Sequence, residues 1–90
     1  MAANLIPQRN ATVQLPQLAP GDTYQSPIAW DPPMPRDAYQ TIVKVPSDHY
    51  GVWTSKVVGT QTAAGCTVQF TINQPCAAVN VVVQAWDFGN

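Results

Sequence analysis

The segment from Cys66 to Ile72 alternates strictly between apolar and polar side chains, and this period of two constrains the fold more than any other feature. Its apolar members are Cys66, Val68, Phe70 and Ile72, and a threonine or a glutamine lies between each pair. Successive side chains of a β-strand point to opposite faces of the sheet. The pattern therefore predicts a strand that is buried on one face and solvated on the other.

Similar runs, rich in Val, Ile, Thr and aromatic residues, recur along the chain with turn residues between them. The further runs that we interpret as strands are 11–18, 23–30, 39–45, 50–58 and 78 to about 88. No run has helical spacing, and nine prolines also disfavour helices. The sequence predicts an all-β fold, an antiparallel sandwich of about six strands at residues 11–90. Residues 1–10 lack periodicity and are expected to form an extended arm, and the proline-rich stretch 31–36 is expected to cross between the sheets.

The cysteines bear on how so small a chain is stabilised. Ninety residues form one domain with a thin core, which usually needs disulfides, a metal or self-association. One histidine and two cysteines do not make a metal-ligand set. A hairpin centred near Gln74 would place Cys76 far from Cys66, so we interpret both as buried free thiols; the alternative, a disulfide between them, would require a bulge or a longer loop. Self-association is then the favoured source of stability.

Charged residues are scarce: they make up 10% of the chain, the net charge is −1 and glutamate is absent. An average soluble domain is about a quarter charged, so a surface covered by neighbouring subunits would suit this composition. The four basic residues are scattered, which disfavours nucleic acid as a partner. No transmembrane run or signal peptide is apparent, so we expect synthesis in the cytoplasm and no membrane insertion.

The last strand is apolar on both faces. Val79, Val81, Val83 and Ala85 line one face, and the opposite face carries Val82, Gln84, Trp86 and Phe88. A strand of this kind is covered on both sides. In a chain this small, the second covering is most simply another subunit, so these four residues of the opposite face are the predicted oligomer interface.

Four passages occur in an order that is familiar from a known family. They are a Val-rich strand with an Ala-Pro-Gly turn (13–21), a proline-rich lead into a Tyr-started strand (32–39), Thr-Ala-Ala-Gly-Cys-Thr-Val (62–68) and a closing Val-rich strand (79–89). Together they resemble the H-type lectin-like domains at the tips of bacteriophage tail fibres. The resemblance implies a six-stranded sandwich assembled as a homotrimer, often with sugars bound near subunit interfaces.

One departure from that family concerns the sugar site. The family's last strand commonly reads Trp-x-Ala-x-Gly, whereas the matching positions here are Ala85, Asp87 and Gly89, with aromatics at Trp86 and Phe88. A shift by one residue moves a side chain to the other face of a strand. The lectin sugar site is therefore not carried over, and fold and trimer are the safer implications.

Catalytic constellations are nearly absent, so the sequence does not predict an enzyme or a cofactor. His49 is the only histidine, and its neighbours Ser47 and Asp48 do not make a triad by adjacency, because a triad is defined by geometry. We interpret His49 as a solvated loop residue. Cys66 lies on an apolar strand face with no cation nearby in sequence, where a thiol is inert.

Carbohydrate recognition is the sharper possibility, because aromatic faces and planar polar groups bind sugars well when loops present them. The best candidate cluster consists of Asp48, His49, Tyr50 and Trp53. A second candidate cluster consists of Trp30, Arg36 and Asp37. The alternative interpretation is that both tryptophans belong to the core or an interface, and that Arg36 and Asp37 form a solvated pair of little consequence.

These features together predict a homotrimeric accessory structural protein of a phage virion, as a minor tail, fibre-like or capsid decoration subunit. Its partners would be further copies, other virion proteins and, as a candidate, host-surface carbohydrate. Leu5 and Ile6 in the arm would anchor the trimer to a larger component. The alternative is a soluble carbohydrate-binding lectin without an assembly role.

Overall fold

Two three-stranded antiparallel sheets make up the fold. The structure, a computed structural model, describes residues 6–88. Its strands are β1 (Gln8–Leu15), β2 (Thr23–Ala29), β3 (Gln40–Lys44), β4 (Trp53–Thr62), β5 (Gly65–Ile72) and β6 (Val79–Trp86). Sheet 1 has the order β1-β6-β3, and sheet 2 has the order β2-β5-β4. The expectation of an all-β fold with six antiparallel strands is confirmed.

The two central strands supply most of the core. On β5 the apolar residues of the alternating segment are all buried, with Phe70 fully so. On β6, Val81, Val83 and Ala85 are fully buried beneath sheet 2. Both strands therefore place their side chains as the alternation predicts, because the central strand of each sheet has neighbours on both sides.

The first strand begins earlier than expected. β1 starts at Gln8, and Gln8 to Asn10 pair with Trp86 to Gln84 of β6. The predicted boundary between arm and sandwich at residue 11 is therefore three residues too late. Polar residues with no apolar alternation can still join a sheet when the neighbouring strand offers free backbone groups. Pro16 lacks an N–H donor and follows the last residue of the strand.

The proline-rich crossover runs from β2 in sheet 2 to β3 in sheet 1, as expected. Met34 is buried, and its backbone nitrogen donates to the carbonyl oxygen of Ala63 at 2.8 Å. The Arg9 guanidinium donates to the carbonyl oxygens of Pro32 (2.7 Å) and Pro33 (3.2 Å). Three prolines cannot join a ladder, so one buried side chain and one arginine hold this segment in place of strand pairing.

Both cysteines are free and buried, which confirms their interpretation as unpaired thiols. Cys66 lies on the core face of β5, and Cys76 forms an isolated bridge with Leu18. Burial raises the pKa of both thiols, because it disfavours the charged thiolate.

Candidate interaction surfaces

The outer face of sheet 1 exposes a group of apolar side chains. Ile42 is 43% exposed, Val82 is 37% exposed and Phe88 is 50% exposed, and Trp86 is half-buried among them. Ile42 lies beside Gln84 in the register of β3 and β6, so the group spans two neighbouring strands. Lys44, which is opposite Val82, is the charged residue of these strands on this face.

Two aromatic rings form the end of this face. The rings of Trp86 and Phe88 are nearly parallel, with 7° between their planes and 6.2 Å between their centroids. The indole Nε1 of Trp86 donates to Oε1 of Gln84 at 3.2 Å, which fixes the indole along the strand. In the register, Gln8 and Gln40 flank Trp86 from the two neighbouring strands. The aromatic pair is thus framed by amide side chains and not by charges.

The outer face of sheet 2 has a different character. Its central strand presents Thr67, Gln69 and Thr71, and Gln25 donates to Oε1 of Gln69 at 2.8 Å from the neighbouring strand. Gln25 and Gln69 bond with each other, and all of these side chains are polar, so this face can remain solvated. The apolar outer surface of the sandwich therefore lies on sheet 1.

The first candidate sugar cluster lies at the short 3-10 turn Ser47–His49. Oδ1 of Asp48 is 2.8 Å from Nδ1 of His49, and this contact holds the pKa of the exposed Asp48 carboxyl below its usual range. Tyr50 is 71% exposed. The structure thus brings Asp48 and His49 together, and it leaves the phenol of Tyr50 open to solvent.

Trp53 does not complete that cluster as a stacking platform. It is only 6% exposed, and its ring packs edge-on against Phe70 in the core, 6.0 Å between centroids. The ring of His49 also contacts Trp53, with 5.6 Å between centroids and a tilt of 44°. Trp53 is therefore a core residue, as in the alternative interpretation, because its side chain points inward from β4 towards sheet 1.

The second candidate cluster is separated by the fold. Trp30 is buried and packs edge-on against Tyr39 at 6.0 Å, so it also belongs to the core. Arg36 binds Asp87, and its expected solvated pair with Asp37 is not formed. The bonds to Asp87 raise the pKa of Arg36 above its ordinary value. Asp87 is two residues beyond Ala85, so the period of two places it on the core face of the chain. A carboxylate on that face is buried and requires a cationic partner. This spacing is the sequence signal for the Arg36–Asp87 pair.

Tyr39 is a further buried polar residue that the motif analysis missed. Its hydroxyl donates to the carbonyl oxygen of Thr62 at 2.8 Å. Burial raises the pKa of Tyr39 to about 12. The hydroxyl therefore stays protonated and serves as a donor that ties the start of β3 to the end of β4.

The arm residues divide at the edge of the described range. Ile6 is about half exposed, whereas Leu5 lies outside the residues that the structure describes.

Within residues 6–88, no group of three or more His, Cys or Asp side chains could hold a metal ion. The same residues contain no helix that is long and apolar enough to span a membrane.

Comparisons with protein-family models, with curated proteins and with solved structures give no significant match. The resemblance to H-type lectin-like domains therefore stays a prediction from the sequence.

Proposed function

We propose that the protein is a non-catalytic accessory subunit of a phage virion that self-associates into a homotrimer through the outer face of sheet 1. The observation that carries this proposal is the exposure of Ile42, Val82 and Phe88 around Trp86 on that face. Contiguous apolar surface of this kind marks interaction sites in soluble proteins.

The residue types on the outer face of sheet 1 are those of a protein–protein interface. Aromatic residues are enriched and charges are depleted at the centres of protein interfaces, while the rims are polar. Here Trp86 and Phe88, together with Ile42 and Val82, would supply the apolar contacts, and Gln8, Gln40 and Gln84 would supply rim hydrogen bonds. Burying one large apolar side chain gains about 1.5–3 kcal/mol. Association costs about 4–15 kcal/mol, so several such side chains must be buried together, as this face allows.

The virion assignment is supported by the family resemblance and by the course of the chain before β1. The carbonyl oxygen of Pro7 accepts a hydrogen bond from the backbone nitrogen of Asp87 at 3.0 Å. Pro7, which directly precedes β1, thus lies near the chain position of Trp86 and Phe88. An arm that contains Leu5 and Ile6 would extend from the edge of the proposed interface and could anchor the trimer on a larger component.

The native mass tests the self-association. At micromolar concentration, light scattering should give about three times the chain mass of 9.7 kDa. The native mass of the Val82→Lys variant should fall to that of a single chain, because an unpaired lysine buried in the interface opposes association. Thr67→Lys places the same change on the central strand of sheet 2 and should leave the trimer intact. A wild-type protein at 9.7 kDa would contradict the proposal.

Particle incorporation tests the virion role. Deleting residues 1–6 spares β1, whereas deletion to residue 10 would also remove part of that strand. We expect the shortened protein to remain trimeric and to lose its attachment to particles. Replacing Leu5 and Ile6 with serine should have the same effect. Undiminished incorporation of both variants would exclude the arm as the anchor.

Carbohydrate binding is the second candidate, and the exposed phenol of Tyr50, two positions after the exposed Asp48, favours it. A planar ring offers a stacking surface for a sugar, and a carboxylate offers a hydrogen-bond acceptor. In this case labelled protein should bind host cells, free sugars should compete, and Tyr50→Ala should abolish binding. Binding that Tyr50→Ala leaves unchanged would remove this site.

A further inference from the structure

One side of the sandwich, between the edge strands β3 and β4, is open. Thr41 and Val43 of β3 lie opposite Ala85 and Val83, and therefore point inward. Both are only half-buried, and inward-facing Ser55 of β4 is exposed. On the opposite side of the sandwich, β1 buries its inward Val13 and Leu15. The core is therefore covered on the side of β1 and partly open to solvent on the side of β3 and β4.

The opening is a cleft of about 60 Å³. It is lined by Thr41, Val43, Ser55, Lys56, Val57 and Val68. These are small β-branched or hydroxyl side chains and one lysine. The cleft is small, so it suits small side chains such as valine or threonine.

The edges that border the cleft differ in length. β3 contributes five residues, and its pairing with β6 ends at Lys44 and Val82. Pro46 follows shortly and cannot extend the ladder. β4 is longer and pairs regularly with β5 from Trp53 to Val58. Among residues 6–88, no strand pairs with its other edge, so the backbone groups on that edge are available to an added strand.

Charge indicates what kind of strand would fit. The only two lysines of the chain are Lys44 and Lys56, one on each edge strand, and neither strand carries an acidic residue. Neither lysine forms a salt bridge within residues 6–88. Antiparallel pairing of β4 with a second β4 centred on Lys56 would set like charges opposite each other, which is destabilising. This edge therefore disfavours a second copy and favours a strand with carboxylates.

We propose that the free edge of β4 binds an extended acidic segment of a partner protein by β-strand addition. The added strand extends sheet 2, its small apolar side chains fill the cleft beside Val43 and Val57, and a carboxylate on its outer face pairs with Lys56. Main-chain hydrogen bonds supply affinity in this mode, and alternate side chains supply specificity. The proposal is independent of self-association, because it uses a different surface.

A model peptide tests the proposal directly. The probe is a blocked seven-residue peptide with the sequence Thr-Val-Asp-Val-Asp-Val-Thr, titrated into isotope-labelled protein while amide chemical shifts are recorded. We expect shifts and slowed amide exchange at Thr54 to Val58, and weaker binding in high salt. An absence of shifts in β4 at millimolar peptide, or shifts confined to the outer face of sheet 1, would overturn the proposal.

A charge exchange provides the matched control. Replacing both aspartates of the peptide with lysine should weaken binding about two- to fivefold, the range of a cross-strand ion pair. Lys56→Glu should reverse this preference, and because Lys56 is exposed the variant should fold normally. Lys44→Glu should change the preference less. A reversal of the preference by Lys44→Glu and not by Lys56→Glu would contradict docking at β4. Val82→Lys changes the outer face of sheet 1 and should leave peptide binding unchanged.

Discussion

Arg36 and Asp87 are 51 residues apart in the chain, yet two guanidinium nitrogens of one donate to the two carboxylate oxygens of the other. Nε of Arg36 is 2.9 Å from Oδ2 of Asp87, and Nη2 donates to Oδ1. Asp87 is only 5% exposed, whereas Arg36 is half-buried. The pair joins the crossover that precedes β3 to the end of β6, so it holds two paired strands at a common end. A two-point guanidinium–carboxylate contact is geometrically specific, and lysine could not replace it.

Removing the two partners of this pair should have unequal effects. Arg36→Ala leaves the buried carboxylate without its guanidinium, whereas Asp87→Asn removes the charge and keeps an acceptor for Arg36. We therefore expect Arg36→Ala to lower the urea midpoint more than Asp87→Asn does. Asp37→Asn is the control and should leave the midpoint unchanged, because Arg36 is bound to Asp87. A larger loss with Asp87→Asn would contradict this account.

Gly65 should not tolerate any side chain. A Cβ atom at this position would lie 1.9 Å from the carbonyl oxygen of Ile28, which is far inside van der Waals contact. We expect Gly65→Ala to lower the free energy of unfolding by about 2 kcal/mol or more, because the backbones of β2 and β5 must separate. Gly59 has a positive φ of 71° and open space around it, so Gly59→Ala should cost only about 1 kcal/mol. Chemical denaturation of both variants measures the difference.

Tyr39 should make stability fall at alkaline pH. Its pKa is about 12 in the folded protein and 10.0 ordinarily, so the unfolded chain loses this proton first as pH rises. The stability that comes from the protonated phenol is complete below about pH 10 and is lost between about pH 10 and 12. Tyr39→Phe should remove this part of the alkaline decline. At neutral pH the same variant should cost about 1 kcal/mol, since it lacks the hydrogen bond to Thr62. A decline in the urea midpoint that is equal in both proteins would contradict the assignment.

The two thiols should be protected from reagents in the folded protein. Cys66 and Cys76 are both buried, and burial raises the pKa of each. We expect labelling by a thiol reagent to be about 1000-fold slower in buffer than in urea, because it requires opening of the domain. The single variants Cys66→Ser and Cys76→Ser allow each rate to be measured alone. Rapid labelling of either cysteine without denaturant would show that its side of the core opens independently.

The strands were predictable where local pattern and tertiary environment agree. On β5, the alternation from Cys66 to Ile72 matches burial residue by residue, because a central strand faces the core along its whole length. The same holds for the inner and outer faces of β6. By contrast, β4 alternates in burial less clearly, because its inward Ser55 lies at the open side of the sandwich. An edge position cannot be told from a central one by the period of two alone.

The contacts between distant residues were not predictable in the same way. Arg9 has no local signal for its role, since it binds the carbonyl oxygens of Pro32 and Pro33, more than twenty positions later in the chain. The sequence suggests Asp37 as the partner of Arg36 by adjacency, whereas the fold brings Asp87 to it. Of the candidate clusters, Asp48 and His49 meet because they are adjacent, whereas Trp30 and Trp53 face inward. Burial of a tryptophan depends on which face its strand turns to the core, and this depends on sheet order.

The pairing of β1 with β6 has a consequence for how the protein is made. β6 is the middle strand of sheet 1, so neither β1 nor β3 has its partner until β6 has been synthesised. A sheet dominated by such long-range pairing forms slowly, because loop closure precedes the gain from contacts. On the ribosome, the residues of β1 and β3 therefore lack their sheet partner until β6 has been synthesised. Slowing translation ahead of β6 should bring no earlier folding of this sheet.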